Sequence, residues 1–266
     1  MSADRYLLAT DARGIATLTL NRPEVANAYD EDLLRALTSA LEALGNDDAV
    51  RAVVIRGAGK HFQAGADLNW LNRLSRVGPE ENYTASIITV RFSKTLNELS
   101  KPTVAVVHGA CFGGGCGIAC CVDIALATPD ALFGISEVRH GIAPTPISTH
   151  MVNAIGIRQA RRYALTGERF GADEALRMGM VHEVVPAARM EARLAEVLDA
   201  IILSAPGAIA RTKLSMLGAN GLLLDEREAE LLAHEGWMQR QSPEGQEGTT
   251  AFREKRKPKW YKPAGG

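Results

Sequence analysis

The feature that most restricts the fold of this chain is an uncharged stretch of 20 residues, 103–122. A helix of that length would be long enough to cross a bilayer. The stretch contains three consecutive glycines at 113–115, and glycine is a poor residue for the centre of a lipid-facing helix. We therefore predict a buried strand, a glycine turn and the start of a buried helix, with no membrane association.

All four cysteines lie inside this stretch, at Cys111, Cys116, Cys120 and Cys121. Their spacing contains no C-x-x-C pair, and no second group of ligands lies elsewhere, so a zinc site is not expected. The six histidines form no HxH or HExxH pair, so we expect no other metal. Because the cysteines lie among apolar residues, we predict buried free thiols in a protein of the reducing cytoplasm.

Five short apolar segments in the first half have the pattern of strands. They are residues 14–20, 52–55, 104–107, 123–127 and 131–133. Helical patterns separate them, at 30–45 with Gly45 as the C-terminal stop, at 67–76 and at 87–99. Strands separated by helices predict an α/β layout with a largely parallel sheet.

The second half of the chain is mainly helical by the same criteria. The predicted helices are residues 146–165, 171–178, 187–204, 205–218 and 224–240. Only residues 181–185 resemble a strand. No linker rich in serine or proline separates the halves, so we predict one continuous structure rather than two domains joined by a flexible linker.

Two glycine-containing turns, residues 63–68 and 108–117, each follow a predicted strand and precede a helix. At helix N-termini such turns direct free backbone N–H groups outward. The sequence lacks the motifs of a phosphate loop, a dinucleotide fingerprint and a hydrolase nucleophile elbow. Two turns side by side can bracket one oxygen atom that gains negative charge, whereas close helix packing is the alternative role of the glycines.

One carboxylate follows the last predicted strand of the first half. Glu137 lies in a largely apolar segment, residues 133–141, with Arg139 and His140 beside it. A buried glutamate has a raised pKa and can act as acid and base near neutral pH. A glutamate on the surface would lack that property, so the burial of Glu137 decides between the two roles.

The charge balance argues against one class of partner. Lys plus Arg is 30 and Asp plus Glu is 31, which gives a net charge of -1. That balance does not favour binding of nucleic acid through bulk charge. Basic residues concentrate in the tail, residues 253–262, which we interpret either as a solvated end or as a phosphate contact.

These motifs, in this order and spacing, resemble those of the crotonase superfamily, the enoyl-CoA hydratases and isomerases. The resemblance covers nearly the whole chain. It rests on segments that match the family's first loop, its two oxyanion loops, its catalytic segment, a later helical turn and the C-terminal ending. These segments are residues 20–28, 64–68, 109–123, 133–137, 166–179 and 251–258.

The resemblance implies a crotonase-like α/β fold of repeated β-β-α turns that form two nearly perpendicular sheets. We accordingly expect a crotonase-like core over residues 1–200 and a C-terminal helical region over residues 201–266. In the family this helical part drives assembly, so the resemblance implies a homotrimer or a hexamer built from two trimers. It also implies a coenzyme A thioester as the substrate, with no prosthetic group.

The resemblance further implies roles for individual residues. The N–H groups of Ala66 and Gly114 would hold the thioester oxygen, and Glu137 would be the catalytic acid and base. A further set matches positions that line the CoA site in the family. This set is Val25, Ala26, Ala64, Asp67, Leu68, Phe252 and Lys255. Phe252 and Lys255 lie in the tail, which in the family often reaches the CoA of a neighbouring subunit. We expect only a supporting role for Asp67, as a helix cap or ion-pair partner.

One position departs from the family. Hydratases with two catalytic glutamates carry one of them three residues after the second oxyanion glycine, and here that residue is Gly117. We expect the space at Gly117 to admit a branched or carboxylated acyl group. Residues 136–144 and 147–148 resemble the methylglutaconyl-CoA and isohexenylglutaconyl-CoA hydratases of leucine and acyclic terpene breakdown. Arg139 or His140 would then pair with a second carboxylate, unless Arg139 forms a surface salt bridge.

Three functions remain open at this level. A single glutamate is sufficient for hydration of a 2-enoyl-CoA or for isomerisation of a 3-enoyl-CoA. The third possibility is a protein that binds acyl-CoA without turnover, because glycine replaces the second catalytic glutamate at residue 117. Hydration is favoured because Glu137 is retained between two intact oxyanion loops.

Overall fold

The computed structural model describes residues 5–223 and 225–259, and its nine strands within these residues form two sheets. The strands are β1 (Tyr6–Thr10), β2 (Ile15–Leu20), β3 (Ala52–Gly57), β4 (Thr103–Val107), β5 (Ala110–Phe112), β6 (Ile124–Ala127), β7 (Leu132–Gly134), β8 (Arg169–Gly171) and β9 (Glu183–Val184). The larger sheet has the order β1-β2-β3-β4-β6-β9 and is parallel from β2 onward, as predicted. The smaller sheet has the order β5-β7-β8.

Ten α-helices connect and cover these sheets within the described residues. They are α1 (Glu31–Asn46), α2 (Leu68–Leu74), α3 (Pro79–Glu98), α4 (Gly114–Cys121), α5 (Ser148–Thr166), α6 (Ala172–Met178), α7 (Met190–Ile202), α8 (Pro206–Ala219), α9 (Glu226–Gln241) and α10 (Pro243–Arg253). None of them is both long enough and apolar enough to cross a membrane. Short 3-10 helices include Glu137–His140 and Thr145–Ile147.

The central strands are buried on both faces, which explains why their sequences are continuously apolar. Val53 and Ile55 of β3 pack in the cluster that includes the apolar face of α1. Their neighbours Ala52 and Val54 pack instead against α7, through Leu194 and three other apolar side chains of that helix. Helices therefore cover both sides of the larger sheet.

Two helix boundaries differ from the sequence-based predictions. Helix α1 does not stop at Gly45, because that residue lies inside the helix, where a Cβ would be 3.0 Å from Cδ1 of Leu99. The glycine is therefore a site of close packing and not a C-terminal stop. Helix α3 begins at Pro79 instead of residue 87. The prediction missed its first turns because buried polar residues such as Asn82 interrupt the apolar period there.

The uncharged stretch contains the predicted strand, glycine turn and buried helix, together with a second short strand, β5, that the sequence analysis had placed in the turn. Strand β4 is followed by β5, by Gly113 with a positive φ of 50°, and by α4. The four cysteines are buried free thiols, and burial raises the pKa of Cys111, Cys120 and Cys121. A turn with positive φ favours glycine, so Gly113 is what allows α4 to begin directly after β5.

The C-terminal helices return to the first half of the chain. Helix α9 packs on α3, with Ala229 and Ala233 against Ile87 and Val90. Helix α10, which the sequence analysis missed, covers the 3-10 helix Glu137–His140 so closely that a Cβ on Gly248 would be 2.2 Å from the carbonyl carbon of His140. The two helices thereby form part of the wall around Glu137.

Candidate active site

The two glycine-containing turns lie side by side. The amide of Phe112 donates to the carbonyl oxygen of Gln63 at 2.9 Å, which joins the second turn to the first. A Cβ on Gly113 would lie 3.6 Å from Cα of Gly65, so the two backbones are in contact there. The predicted pairing of these turns is therefore present in the fold.

Each turn has a free N–H group where the two turns meet. In the first turn the amides of Ala64, Gly65 and Asp67 all donate hydrogen bonds within the chain, at 3.0, 2.9 and 2.7 Å, whereas the amide of Ala66 donates to no group in residues 5–223 and 225–259. In the second turn the amide of Gly114, the first residue of α4, is likewise free within these residues. Both residues line the same cavity.

Glu137 lines this cavity beside the two turns. Its Oε1 would lie 3.1 Å from a Cβ on Gly113, and its buried Oε2 has no hydrogen-bond partner in the described part of the chain. Burial raises the pKa of Glu137 from 4.5 to about 7, although two backbone hydrogen bonds oppose the shift. The carboxyl group can therefore release and accept a proton near neutral pH.

The cavity has further walls that the sequence analysis did not identify. Tyr29 contributes its half-buried ring, which contacts Trp70 edge to face with the ring centres 5.8 Å apart. Thr145 and Ile147 approach from the 3-10 helix before α5, and Arg240 approaches from α9. These residues belong to separate elements with no shared motif, so no local signal in the sequence marks them.

A buried asparagine holds the predicted CoA loop in place. The Nδ2 group of Asn27 donates to the carbonyl oxygens of Ala58 and His61, at 2.9 and 2.8 Å, and to that of Phe62 at 3.2 Å. Val25 and Ala26 directly precede it, at the end of a 3-10 helix, and Ala26 accepts a hydrogen bond from the amide of Ala64 at 3.0 Å. The loop around Val25 and Ala26 is thus fixed against the first oxyanion turn.

The other predicted CoA-site residues divide into two groups. Ala64, Leu68 and Phe252 line the cavity that contains Glu137. Asp67 instead caps α2 by accepting from the amide of Asn69 at 2.8 Å, and it forms an ion pair with Arg22 at 2.8 Å, which is a supporting role. Lys255 is exposed just after α10 and does not line this cavity.

The expected space at Gly117 is not there. Gly117 is buried and does not line the cavity, because a Cβ at this position would meet Cγ2 of Ile147 at 2.5 Å. The side chain of Ile147 therefore occupies the volume where a glutamate at residue 117 would begin. The expectation that Gly117 widens the site is wrong for this reason.

The two predicted partners of a second carboxylate are also placed differently. Arg139 is exposed, donates to the carbonyl oxygen of Thr166 at 3.3 Å and lies outside the cavity. His140 does line the cavity, where its ring contacts Phe252 with the ring centres 4.2 Å apart. Burial lowers the pKa of His140 to about 4, with Arg139 adding to the shift, so the imidazole is neutral near pH 7 and offers no positive charge.

Some basic side chains of the tail form ion pairs with glutamates of the same chain. Arg256 pairs with Glu247 at 2.6 Å and with Glu254 at 2.7 Å, and Lys259 lies 3.6 Å from Glu247. Residues 260–262, the end of the predicted phosphate contact, lie outside the described residues. The phosphate role of the tail therefore stays a prediction.

Comparison with known proteins adds independent information to this geometry. A family model described as enoyl-CoA hydratase/isomerase matches residues 10–263. The short-chain-enoyl-CoA hydratase of Clostridium acetobutylicum is 34% identical over 266 residues, which cover 98% of this chain and 99% of the relative. The crotonyl-CoA hydratase of Syntrophomonas wolfei is 32% identical over 261 residues, covering 97% and 98%.

The fold is also shared with solved structures. A crystal structure of an enoyl-CoA hydratase from Mycobacterium avium superimposes with a TM-score of 0.85 at 30% identity, over 97% of this chain and 99% of that chain. The shared fold therefore spans nearly the whole length of both chains.

Proposed function

The chain belongs to the enoyl-CoA hydratase/isomerase family, and from that premise we propose that it adds water across the double bond of a 2-enoyl-CoA thioester. The observation that carries the proposal is the position of Glu137 beside two free N–H groups in one cavity. Two donors and one carboxyl group are the parts that this reaction needs, because charge develops on the thioester oxygen while a proton moves to carbon.

The proposed reaction uses Glu137 twice. The carboxylate removes a proton from water while the water oxygen forms a bond to the β-carbon. The double-bond electrons move toward the thioester, whose oxygen becomes enolate-like between the N–H groups of Ala66 and Gly114. Glu137 then gives its proton to the α-carbon, which restores the carboxylate and completes the addition on one face of the double bond.

The pH dependence of the reaction follows from the burial of Glu137. Burial raises the pKa of this group to about 7. Near neutral pH Glu137 is therefore protonated in about half of the protein molecules, and in these it cannot accept a proton from water. We expect kcat/KM for hydration to rise roughly tenfold per pH unit below pH 7 and to level off above it. Initial rates with crotonyl-CoA between pH 5 and pH 9 measure this profile, and a rate that is flat across this range would contradict it.

A direct assay separates hydration from the two alternatives. The protein is incubated first with crotonyl-CoA, where loss of absorbance by the conjugated double bond reports hydration. It is then incubated with a 3-enoyl-CoA, where a gain of that absorbance reports isomerisation. Loss with crotonyl-CoA supports the proposal. A gain with the 3-enoyl-CoA alone replaces it with an isomerase, and tight CoA binding without either change replaces it with a non-catalytic protein.

The preferred acyl group is proposed to be branched or carboxylated, as in methylglutaconyl-CoA or isohexenylglutaconyl-CoA. This part of the proposal is supported by the resemblance of residues 136–144 and 147–148, and not by space at Gly117. The coenzyme A would enter beside Ala64, Leu68 and Phe252, with the acyl group directed toward Trp70 and α9.

We also propose that the chain forms the homotrimer or hexamer implied by its resemblance. The C-terminal helical part exposes large apolar side chains, including Leu203, Met216 and Leu231, which are 89%, 67% and 56% exposed. Apolar side chains of this kind favour burial against another subunit. Light scattering on the purified protein is expected to give three or six copies of the 28.5 kDa chain, and a monomer would exclude the assembly.

A further inference from the structure

Arg240 is a cation in the wall of the active-site cavity that has no acidic partner in the described part of the chain. It extends from α9 and is partly buried. By comparison Arg22, which is also largely buried, lies 2.8 Å from Asp67 and 3.3 Å from Asp30. Buried charges in proteins are normally paired, so the missing anion at Arg240 calls for an explanation.

The hydrogen bonds of Arg240 use only one side of its guanidinium group. Nε donates to Oδ1 of Asn82 at 3.1 Å, and Nη2 donates to the carbonyl oxygen of Asn82 at 3.0 Å and to Oγ of Ser86. All of these acceptors are neutral. Nη1 donates to no group within residues 5–223 and 225–259, and Gly236 supplies no side chain to cover it.

Two other polar groups of the same cavity are also without a partner in the described residues. They are Oγ1 of Thr145 and Nε1 of Trp70, and both residues are more than nine-tenths buried. A Cβ on Gly236 would lie 3.2 Å from Oγ1 of Thr145 and 3.8 Å from Nη1 of Arg240, so these two groups border the same point. A hydroxyl and a guanidinium N–H that border one point in this way suit the two oxygens of a carboxylate.

Arg240 does not serve as the counterion of Glu137. The two side chains form no ion pair, and the raised pKa of Glu137 reflects burial with no opposing effect of the arginine. Burial lowers the pKa of Arg240 to about 10, so it is still a cation near pH 7. The charge therefore remains available for a ligand.

We propose that Arg240, with Thr145, binds a second carboxylate at the far end of the acyl group, and that the substrate is a dicarboxylic enoyl-CoA monothioester. The inference rests on the proposed hydratase function, because the thioester oxygen held at Ala66 and Gly114 fixes which end of the acyl group reaches Arg240. It assigns to Arg240 the role that the sequence suggested for Arg139 or His140.

The substrate preference of the wild-type protein gives the first test. Glutaconyl-CoA carries a terminal carboxylate, and pent-2-enoyl-CoA has the same chain length with a methyl group instead. We expect kcat/KM to be at least about tenfold higher for glutaconyl-CoA, which is the size of one charge-assisted hydrogen bond. Equal values, or a preference for pent-2-enoyl-CoA, would overturn the inference while leaving the hydratase function intact.

Variants then assign the preference to Arg240. In Arg240→Met the ratio of the two kcat/KM values should fall at least about tenfold, and Arg240→Lys should retain part of it because the charge remains. Arg91→Met is the matched control, since Arg91 also links α3 to α9, through Glu226 at 3.9 Å, but lies outside the cavity. Equal loss with both substrates in Arg240→Met would mean that the arginine only holds the helices together.

A binding measurement keeps the test decisive if Arg240→Met does not fold. Calorimetric titration of the wild-type protein compares glutaryl-CoA with pentanoyl-CoA, which differ in the terminal carboxylate and cannot be hydrated. Tighter binding of glutaryl-CoA by at least about tenfold supports the inference. Equal affinity overturns it, whereas binding of both with no hydration of any enoyl-CoA would instead refute the proposed function.

Discussion

Replacing Glu137 with glutamine is expected to lower kcat/KM for 2-enoyl-CoA hydration at least 100-fold, roughly the lower limit of what general acid–base catalysis contributes. The amide has nearly the shape of the carboxyl group, so it fits beside Gly113 in the same place. It cannot accept a proton from water or give one to the α-carbon. Initial rates with crotonyl-CoA at pH 8, where the wild-type group is mostly ionised, measure the loss.

Stability provides the folding control for this variant. Below pH 4.5 the glutamate is protonated in both folded and unfolded chains, so it adds no pH dependence. Between pH 4.5 and about 7 the folded protein retains a proton that the unfolded chain releases, and wild-type stability falls as the pH rises. Glutamine lacks this penalty. Relative to wild type, Glu137→Gln should gain on the order of 3 kcal/mol in its free energy of unfolding between pH 4.5 and pH 8.

A second glutamate supplies a matched control for activity. Glu191 lies on α7, where it pairs with Arg56 at 2.6 Å on the other side of the larger sheet. Glu191→Gln makes the same chemical change and should leave hydration unaltered. If Glu137→Gln turned over crotonyl-CoA like Glu191→Gln, a different group would have to move the proton.

The parts of the site that the sequence predicted are those whose chemistry is local. Glu137 and the second turn lie just after strands, and a short loop joins β3 to the first turn, so a short motif gives both the residue type and its position in the fold. Gly113 shows the same relation, because its positive φ is required wherever β5 passes into α4. Local motifs of this kind can be interpreted without knowing the rest of the chain.

The parts that the sequence did not predict depend on packing between distant elements. Ile147 occupies the space beside Gly117, although the absence of a side chain at 117 had indicated an opening. Arg240 reaches the cavity only because α9 packs on α3, and it lies in a stretch that is otherwise mostly acidic. The same packing places α10 over the 3-10 helix of Glu137. Tertiary contacts of this kind leave no period or motif in the sequence.

Replacing Gly114 with alanine is the change expected to have the other large effect on activity. A Cβ at residue 114 would lie 2.2 Å from Cε1 and 3.1 Å from Cζ of the half-buried Tyr29 ring, so the ring or the start of α4 has to shift. Trp70 packs against the ring and opposes its shift, and a shift of α4 moves the free N–H group of Gly114 away from the thioester oxygen. We expect kcat for crotonyl-CoA hydration to fall about 100-fold, as when an oxyanion donor is removed from other enzymes.

A second substitution tests whether the contact with Tyr29 causes this loss. Tyr29→Leu removes Cε1 and Cζ, so in the double variant Gly114→Ala/Tyr29→Leu the helix can return to its position. We expect kcat of the double variant to be at least about tenfold higher than that of Gly114→Ala alone. Gly171→Ala is the control, because a Cβ there would meet no atom within 4 Å. A Gly114→Ala protein that hydrates crotonyl-CoA at the rate of Gly171→Ala would remove residue 114 from the oxyanion site. The donor that stabilises the enolate would then have to be another amide of α4, since Gly115 and Cys116 also lie in its first turn.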